Sequence, residues 1–232
     1  MCGRTSLFAP PDLVADRFGA EPVRPLEPRY NVAPGQRHPV VRNDDTDAIR
    51  FPTWGLVPEW ADGSPSSGHM NARAETLAEK PSFREAFAER RCLVLADGFY
   101  DWKETPTGTQ PYRIERADRD PFAFAGLWEP RSDGSGTDAT FTVVTTEPNA
   151  TVEPIHHRMP VILNREEERR WLRGGDDGTD TEDLADLLDP YPASEMRAYP
   201  VSSAVNDPDN DDPSIIEEVA AEEDVQTGLD EF

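Results

Sequence analysis

Proline and glycine interrupt this chain so often that the sequence argues against long helices. The 232 residues include 23 prolines and 15 glycines, which favour turns and end regular elements. Hydrophobic residues make up 36% of the chain and include ten Phe, five Trp and five Tyr, enough for a buried core. The sequence therefore predicts a globular chain of short elements joined by many turns, rather than a disordered one.

Helix signals and short apolar runs alternate along the chain. Residues 11–18 before Gly19 predict a short helix, and a capping box at 82–85 predicts another to about residue 90. Asn164 begins a predicted helix that Gly174 ends, and residues 181–188 predict one more. Predicted strands are 92–96, 112–115, 122–128, 141–145 and 161–163, while residues 22–39 predict a proline-rich extended loop. This order predicts an α+β fold with a mixed, curved or barrel-like β-sheet flanked by short helices.

The charge is strongly negative and unevenly spread. The formal net charge is −23, and 21 of the 23 basic residues are Arg. An acidic surface of this kind is typical of salt-adapted proteins, because concentrated salt screens its self-repulsion, so we expect a halophilic source. Residues 1–104 carry a net charge of −3 and residues 105–232 carry −20. We therefore expect any anionic ligand to bind the first half of the chain.

Two cysteines and four histidines give no metal-binding motif. Cys2 and Cys92 can form at most one disulfide, and neither CxxC nor HExxH spacing occurs, so neither a metal nor another cofactor is expected. No run of 18 apolar residues occurs, and the first residues lack the pattern of a secretory signal. We expect a cytoplasmic, monomeric protein without a membrane span.

Cys2 directly follows the initiator Met1, whose removal is expected because Cys is small. The chain would then begin with a free α-amine beside a thiol. Their reference pKa values are about 7.7 to 8.0 and about 8.5, and we expect Arg4 to lower both. Such an aminothiol can form a Schiff base with an aldehyde and then close it into a five-membered thiazolidine.

Six short motifs occur in a fixed order behind this cysteine. They are residues 1–4 (MCGR), 30–35 (YNVAPG), 54–58 (WGLVP), 71–75 (NARAE), 96–102 (ADGFYDW) and 155–160 (IHHRMP). Together they resemble the SOS-response-associated peptidase (SRAP) family, which forms covalent DNA–protein crosslinks at abasic sites. The resemblance implies an SRAP-like fold and single-stranded DNA as partner. It also implies that the ring-opened abasic aldehyde is trapped as a thiazolidine, which shields the lesion in the DNA damage response.

The resemblance covers residues 2 to about 206 and so sets the expected domain boundary. We expect an SRAP-like catalytic domain over 1–206 and an acidic C-terminal tail over 207–232. The tail holds eleven acidic and no basic residues, which predicts that it is solvated or loosely helical around 214–221. A peptidase activity would need Cys2 only once, to remove autoproteolytically what precedes it.

The resemblance also assigns catalytic roles. Asn71 would orient Cys2 or the sugar, and His156 would move protons at the imine or sugar oxygen. Asp101 would act as the acid/base in sugar ring opening and in lyase-like Schiff-base formation, although the family pattern has the longer Glu before this Trp. Glu104 is an alternative, but three residues along an extended strand it faces the other way. The motif His-x-Arg-Met-Pro selects His156 over His157.

The residues expected to contact DNA come from the same motifs. Arginines would bind phosphates, tryptophans would stack on unpaired bases, and the proline-rich loop would form a rigid edge. The set is Arg4, Asn31, Pro34, Trp54, Arg73, Trp102 and Arg158. Trp60 has a weaker case for stacking. We expect Cys92 to be a buried small hydrophobe, and His38 and His69 to be structural.

Two other functions fit parts of the same pattern. Glutamine amidotransferases and related amidohydrolases also use an N-terminal cysteine, and they would release ammonia from an amide. A non-covalent single-stranded DNA binder would use the same aromatic and arginine residues, although the charge of −23 opposes it. A stable adduct with abasic DNA distinguishes the crosslinking function from both.

Overall fold

Two β-sheets and a few short helices form the architecture. The computed structural model describes residues 2–106, 108–131, 139–173 and 181–221. The strands are β1 Thr5–Leu7, β2 Glu21–Pro22, β3 Arg29–Val32, β4 Val40–Arg42, β5 Asp45–Arg50, β6 Thr53–Trp54, β7 Asn71–Arg73, β8 Arg91–Ala96, β9 Gly98–Thr105, β10 Gly108–Arg116, β11 Phe122–Pro130, β12 Ala139–Thr146, β13 Met159–Pro160, β14 Ile162–Leu163 and β15 Met196–Pro200. The α-helices are α1 Pro11–Phe18, α2 Arg84–Glu89, α3 Arg165–Arg173 and α4 Thr181–Ala185.

The larger sheet is mixed and has ten strands in the described chain. Its main path is β13-β12-β11-β8-β4-β5-β2, while β14 pairs with β11. β6 and β7 both pair with β12 in parallel orientation, and β7 sets Asn71 opposite Val143. The smaller sheet is antiparallel, in the order β15-β10-β9-β1-β3. β1 therefore lies at its interior, between β3 and β9, and holds the start of the chain in place.

The larger sheet is buried on both faces. Along β8, Leu93 and Leu95 pack in the cluster with the helices, whereas Cys92 and Val94 pack in the cluster shared with the smaller sheet. Alternate strand residues point to opposite faces, so double burial produces the nearly continuous apolar run seen at 92–96. Cys92 is a fully buried core residue, as predicted.

Asp97 marks the corner where the chain leaves one sheet for the other. Its carboxylate accepts hydrogen bonds from Ser6 Oγ at 2.6 Å and from the Phe8 N–H at 2.6 Å, and it faces Arg113 Nη2 at 3.3 Å. Arg113 is fully buried, so this carboxylate compensates a charge that would otherwise be costly to bury. A Cβ at Gly98 would lie 2.4 Å from that guanidinium, which is why only glycine fits there.

The structure confirms the α+β class and several of the predicted elements. α1 spans the predicted residues and ends at Gly19, which adopts the left-handed conformation with φ of 63°. Asn164 caps α3 as predicted, since its Oδ1 accepts from the Glu166 N–H at 2.9 Å, and Gly174 lies outside the described residues. α4 is shorter than predicted. The segment 161–163 contributes only the two-residue β14.

Two of the predicted elements are wrong. The capping box at 82–85 does not form, because α2 begins at Arg84 behind Phe83, which makes no side-chain cap. The N–H groups of Phe83 and Arg84 instead donate to the Lys80 carbonyl, both at 2.9 Å, while the Phe83 ring packs in the core. The loop predicted over 22–39 contains β3.

Within the described ranges, no helix is long and apolar enough to cross a membrane.

The described part of the acidic tail packs against the domain instead of lying free. Asp211 pairs with Arg29 and accepts the backbone N–H of Asn31 at 2.9 Å. Ile215 is buried in a cluster with Tyr100 and Tyr199, on the smaller sheet. The expectation of a solvated tail is therefore wrong at Asp211 and Ile215, which have partners on β3 and β15. The other acidic residues of 207–221 are exposed, as expected. The domain boundary at 206 stays a prediction.

Candidate active site

Cys2 lies in the core between the two sheets, with none of its surface exposed. Its carbonyl oxygen accepts a hydrogen bond from Asn71 Nδ2 at 2.9 Å. The next residues run beside β9, since the Arg4 carbonyl accepts the Tyr100 N–H at 3.0 Å. This antiparallel approach brings Cys2 close to Asp101, the residue that follows Tyr100.

Asn71 donates a hydrogen bond to the carbonyl of Cys2, and its own side-chain oxygen accepts none from the described residues. β7 is fixed by its parallel pairing with β12, and its alternation buries Ala72 between Asn71 and the exposed Arg73. The Oδ1 atom of Asn71 is buried and has no hydrogen-bond partner among the residues that the structure describes. An unsatisfied buried acceptor is costly, so it favours a donor such as an amine or a sugar hydroxyl at this place.

The thiol of Cys2 is held in its neutral form. Burial, together with the nearby Asp101 carboxylate, raises the pKa of this thiol to about 12. A hydrogen bond from the Arg4 backbone acts in the opposite direction and is a smaller effect. Arg4 thus lowers the pKa of the thiol, as expected, but desolvation outweighs this effect and the net shift is upward.

Asp101 and His156 are the candidate acid–base pair of the site. Asp101 is 2% exposed, and its Oδ2 lies 3.7 Å from His156 Nδ1. Burial raises the pKa of Asp101, and the charge of His156 partly offsets this rise. Burial lowers the pKa of His156, and the charge of Asp101 partly offsets this fall. Both burial effects favour a neutral carboxylic acid beside a neutral imidazole. That arrangement can donate a proton from oxygen and accept one at nitrogen.

The structure separates the two carboxylates that compete for the acid role. β9 is extended through both positions, and Glu104 is exposed whereas Asp101 is buried. Asp101, and not Glu104, therefore lies beside His156. The neighbouring His157 is exposed, and its ring stacks on that of His156 with centroids 4.3 Å apart. Residues 151–155, which precede these two histidines, form turns rather than an extended strand.

Glu75 is a site residue that the sequence reasoning missed. It forms a bidentate ion pair with Arg158, in which Nη2 and Oε2 lie 3.0 Å apart, and Arg158 also donates to the Thr145 carbonyl at 2.7 Å. The hydrogen bonds from Arg158 lower the pKa of Glu75, so it stays ionised. The pair ties motif 71–75 to motif 155–160. Its place in a five-residue motif beside Arg73 was the signal available in the sequence.

Replacing Glu75 with Gln is expected to slow the chemistry more than it weakens the fold. Glu75 is 49% exposed, and exposed ion pairs contribute about 0 to 1 kcal/mol, so urea unfolding should change by less than about 1 kcal/mol. The reaction should slow by roughly tenfold, because Arg158 and the His156 loop lose a fixed partner and small misplacements are costly. Glu79→Gln, which neutralises an exposed neighbour, is the matched control. Equal crosslinking rates for Glu75→Gln and Glu79→Gln would contradict the role of Glu75 in positioning Arg158 and the His156 loop.

Arg4 and Trp102 are held together by residues 205–206. Arg4 Nη1 donates to Asn31 Oδ1 at 2.8 Å and also to the Val205 carbonyl. Trp102 Nε1 donates to Asn206 Oδ1 at 2.7 Å, and the Arg4 guanidinium lies 5.9 Å from the Trp102 ring. Both side chains thus keep one orientation beside Cys2. Asn206 is exposed, and sequence reasoning did not select it.

Two residues expected to contact DNA are part of the core instead. Asn31 is fully buried, and its side-chain amide donates to the carbonyls of Asp207 and Asn210 at 2.9 and 2.7 Å. Trp54 is also fully buried, stacks on Phe141 and donates to the Met70 carbonyl at 2.8 Å. Neither can reach DNA directly in this arrangement, because each side chain is enclosed by the protein.

The remaining candidates keep some accessible surface. Pro34 and Trp102 are half-buried, and Arg73 is exposed with no ion pair to any described residue. Trp60 is 69% exposed.

His38 is buried and bonds the Leu95 carbonyl at 2.6 Å, and burial lowers its pKa to about 4, consistent with a structural role. Across the described ranges, no cluster of three or more His, Cys, Asp or Glu side chains is arranged to hold a metal ion.

Comparison with known proteins identifies the family. The SOS response associated peptidase (SRAP) family matches residues 1–208. The abasic site processing protein YoqW of Bacillus subtilis (strain 168) is 44% identical over 224 residues, which cover 94% of this chain and 99% of the relative. The abasic site processing protein HMCES of Xenopus tropicalis is 31% identical over 263 aligned residues, an alignment that covers 92% of this chain and 77% of the relative.

A solved structure agrees with this assignment. The crystal structure of a protein from Bacteroides thetaiotaomicron superposes with a TM-score of 0.83 at 30% identity, covering 94% of this chain and 100% of that one. The chain belongs to the SRAP family.

Proposed function

We propose that this protein processes abasic sites in single-stranded DNA by crosslinking to them through Cys2. The observation that carries the proposal is the placement of Cys2, held by Asn71 and adjacent to the pair of Asp101 and His156. The names of the relatives, abasic site processing proteins, support the same substrate. The reaction requires Met1 to be removed, so that Cys2 carries a free α-amine.

The thiol and amine of Cys2 act in sequence. The neutral thiol is a poor nucleophile at neutral pH, so the amine attacks first. Its nitrogen adds to the aldehyde carbon of the ring-opened sugar and gives a carbinolamine. The hydroxyl of that intermediate leaves as water after accepting a proton, which Asp101 can supply. The resulting iminium carbon then lies within reach of the thiol of the same residue.

Ring closure completes the crosslink without any further reactant. The sulfur adds to the iminium carbon, and the thiol proton passes to His156 or to the ionised Asp101. The product is a five-membered thiazolidine that contains the α-nitrogen and the sulfur of Cys2. The reaction needs no oxidant or reductant, because the addition and the loss of water leave the oxidation state of carbon unchanged. Asn71 Oδ1 can orient the amine or a sugar hydroxyl throughout.

Phosphate binding falls to arginines around this centre. Arg73 is exposed on the same side of β7 as Asn71, two residues along the strand, so it can hold the phosphate flanking the lesion. Arg4 and Arg158 already have internal partners, and each would position the strand with its remaining donors. Trp102 offers a half-buried indole for stacking on a neighbouring base.

The mass of the intact protein after incubation with abasic single-stranded DNA tests this function. We expect a chain without Met1 and a 1:1 adduct that survives denaturation and has lost one water relative to the sum of the reactants. Retention of Met1 together with undiminished crosslinking would overturn the mechanism. Release of ammonia from glutamine without any adduct would favour an amidotransferase, and binding that does not survive denaturation would favour a non-covalent DNA binder.

The acidic surface leads to an expected salt dependence. Affinity for single strands falls by about 0.7 log units per phosphate contact per decade of salt, so three arginines lose about two log units between 0.1 M and 1 M. Covalent capture makes a weak encounter lasting, so this loss lowers the yield less than it lowers the affinity. Repulsion between DNA and a protein of charge −23 is long-ranged in dilute buffer, but at 1 M salt it extends only about 3 Å. We therefore expect the crosslink yield at fixed time to rise from about 0.1 M to 1 M salt. A steady fall in yield while circular dichroism shows an intact fold would contradict adaptation to a halophilic setting.

A further inference from the structure

His157 follows His156 in motif 155–160, and the proposed reaction gives it no role. The side chain of His157 is exposed, whereas that of His156 is only 18% exposed. The two rings are stacked, with centroids 4.3 Å apart and planes inclined by 28°. His157 therefore covers one face of the imidazole that lies beside Asp101.

The backbone around His156 is held on both sides of this residue. Before it, the His156 N–H donates to the Val152 carbonyl at 2.9 Å and closes the preceding turn. After it, the side chain of Arg158 is tied to Glu75. These contacts hold the main chain at His156, but they do not set the plane of its ring.

The plane of the His156 ring needs a neighbour to fix it. Rotation of an imidazole about its χ2 bond is intrinsically broad and roughly two-fold, so the backbone alone does not select one orientation. Nδ1 lies 3.1 Å from the Arg158 nitrogen, 3.2 Å from the Arg158 carbonyl and 3.7 Å from Asp101 Oδ2. Turning the ring over would put a carbon in place of Nδ1 and break these contacts. Stacking restrains this rotation, because the ring must leave its parallel contact with His157 to turn.

We propose that His157 is a positioning residue for the reaction at Cys2 and holds the His156 ring in the plane that presents Nδ1 to Asp101, an inference that rests on the proposed function. Proton transfer requires short heavy-atom distances of about 2.6 to 3.2 Å, so a ring that is free to turn spends less time in a productive orientation. In this role His157 acts through His156 and does not itself react. The motif His-x-Arg-Met-Pro leaves this position undefined, so the stacked geometry is what assigns it.

Two substitutions separate stacking from other roles of His157. His157→Phe keeps an aromatic ring over His156, and His157→Ala removes it. In single-turnover crosslinking at saturating abasic DNA, His157→Ala should react about three- to tenfold more slowly than wild type, because small misplacements of reacting groups are costly. His157→Phe should stay within about twofold of wild type. The DNA concentration that gives half the maximal rate should be unchanged in both variants, since neither loses a proposed contact with DNA.

Glu153→Ala, which truncates an exposed side chain in the same turn, is the matched control and should react at the wild-type rate. On a His156→Ala background, His157→Ala should cause no further loss of rate, because the residue that it positions is gone. A further loss there would overturn the proposal.

A His157→Ala protein as fast as wild type, or a His157→Phe protein as slow as His157→Ala, would also show that stacking does not position His156. Weaker apparent affinity for DNA at an unchanged maximal rate would overturn the proposal too, since it would indicate direct contact between His157 and DNA. If wild-type protein forms no adduct with abasic DNA, the proposed function itself fails.

Discussion

Cys2→Ala is expected to abolish the adduct that survives denaturation, because without the thiol the iminium cannot close into a ring. The variant still presents an α-amine after loss of Met1, so it should form a reversible Schiff base with abasic DNA. Borohydride should reduce this Schiff base to a stable amine. The measurement is denaturing electrophoresis with and without the reductant, and only the reduced sample should show a crosslink.

Cys92→Ala provides the control for this variant, since both cysteines are fully buried in the same cluster. It removes a sulfur of similar size from the core without touching the proposed nucleophile, so crosslinking should match wild type. A Cys2→Ala protein that crosslinks stably without reductant would show that the product is not a thiazolidine.

Asp101→Asn is expected to slow crosslinking by about 10²-fold or more, the usual contribution of a positioned general acid. The amide is nearly isosteric but cannot deliver a proton to the departing hydroxyl. Asp101→Glu restores the methylene that the family pattern contains and should keep or raise the rate. Single-turnover kinetics on one abasic oligonucleotide measure all three proteins, and Glu104→Gln, an exposed change on the same strand, should be neutral.

The pH profile distinguishes an acid from a merely structural Asp101. Burial raises the pKa of this carboxyl, so its protonated form persists to higher pH than that of an ordinary aspartate. The rate should rise with pH as the amine loses its proton and fall as the Asp101–His156 pair loses its own. Asp101→Asn should lose the falling limb. An Asp101→Asn protein with the wild-type rate and profile would exclude the residue from the mechanism.

Strands that are buried on both faces could be predicted from the sequence. Strands that form because a neighbouring strand pairs with them could not. β8 and β11 are apolar runs because each packs between two layers. β5 has the sequence DTDAIR, which lacks a strong strand pattern, and it exists because β4 pairs with it. β3 lies in a proline-rich stretch and depends on β1 and on the carboxylate of Asp211. Local propensity cannot show such long-range pairing.

Motif order predicted the candidate catalytic residues that the structure brings together, but it did not show which motif residues are buried. Trp54 and Asn31 belong to motifs because they hold loops and strands in place, and sequence alone does not separate that role from contact with DNA. The ion pair of Glu75 could not be predicted from the sequence because its partner, Arg158, lies 83 residues away. The acidic composition of residues 207–221 suggested solvation, whereas individual carboxylates there have specific basic and backbone partners.

The contacts of Arg4 tie the order of synthesis to the assembly of the site. Arg4 leaves the ribosome well before its partner Val205, which follows 201 residues later. β1 likewise waits for β9, whose Phe99 pairs with Thr5. Contacts this distant in sequence form late in folding. A nascent chain therefore carries Cys2 for most of translation before Arg4, Asp101 and Asn71 take the positions around it that the folded protein gives them.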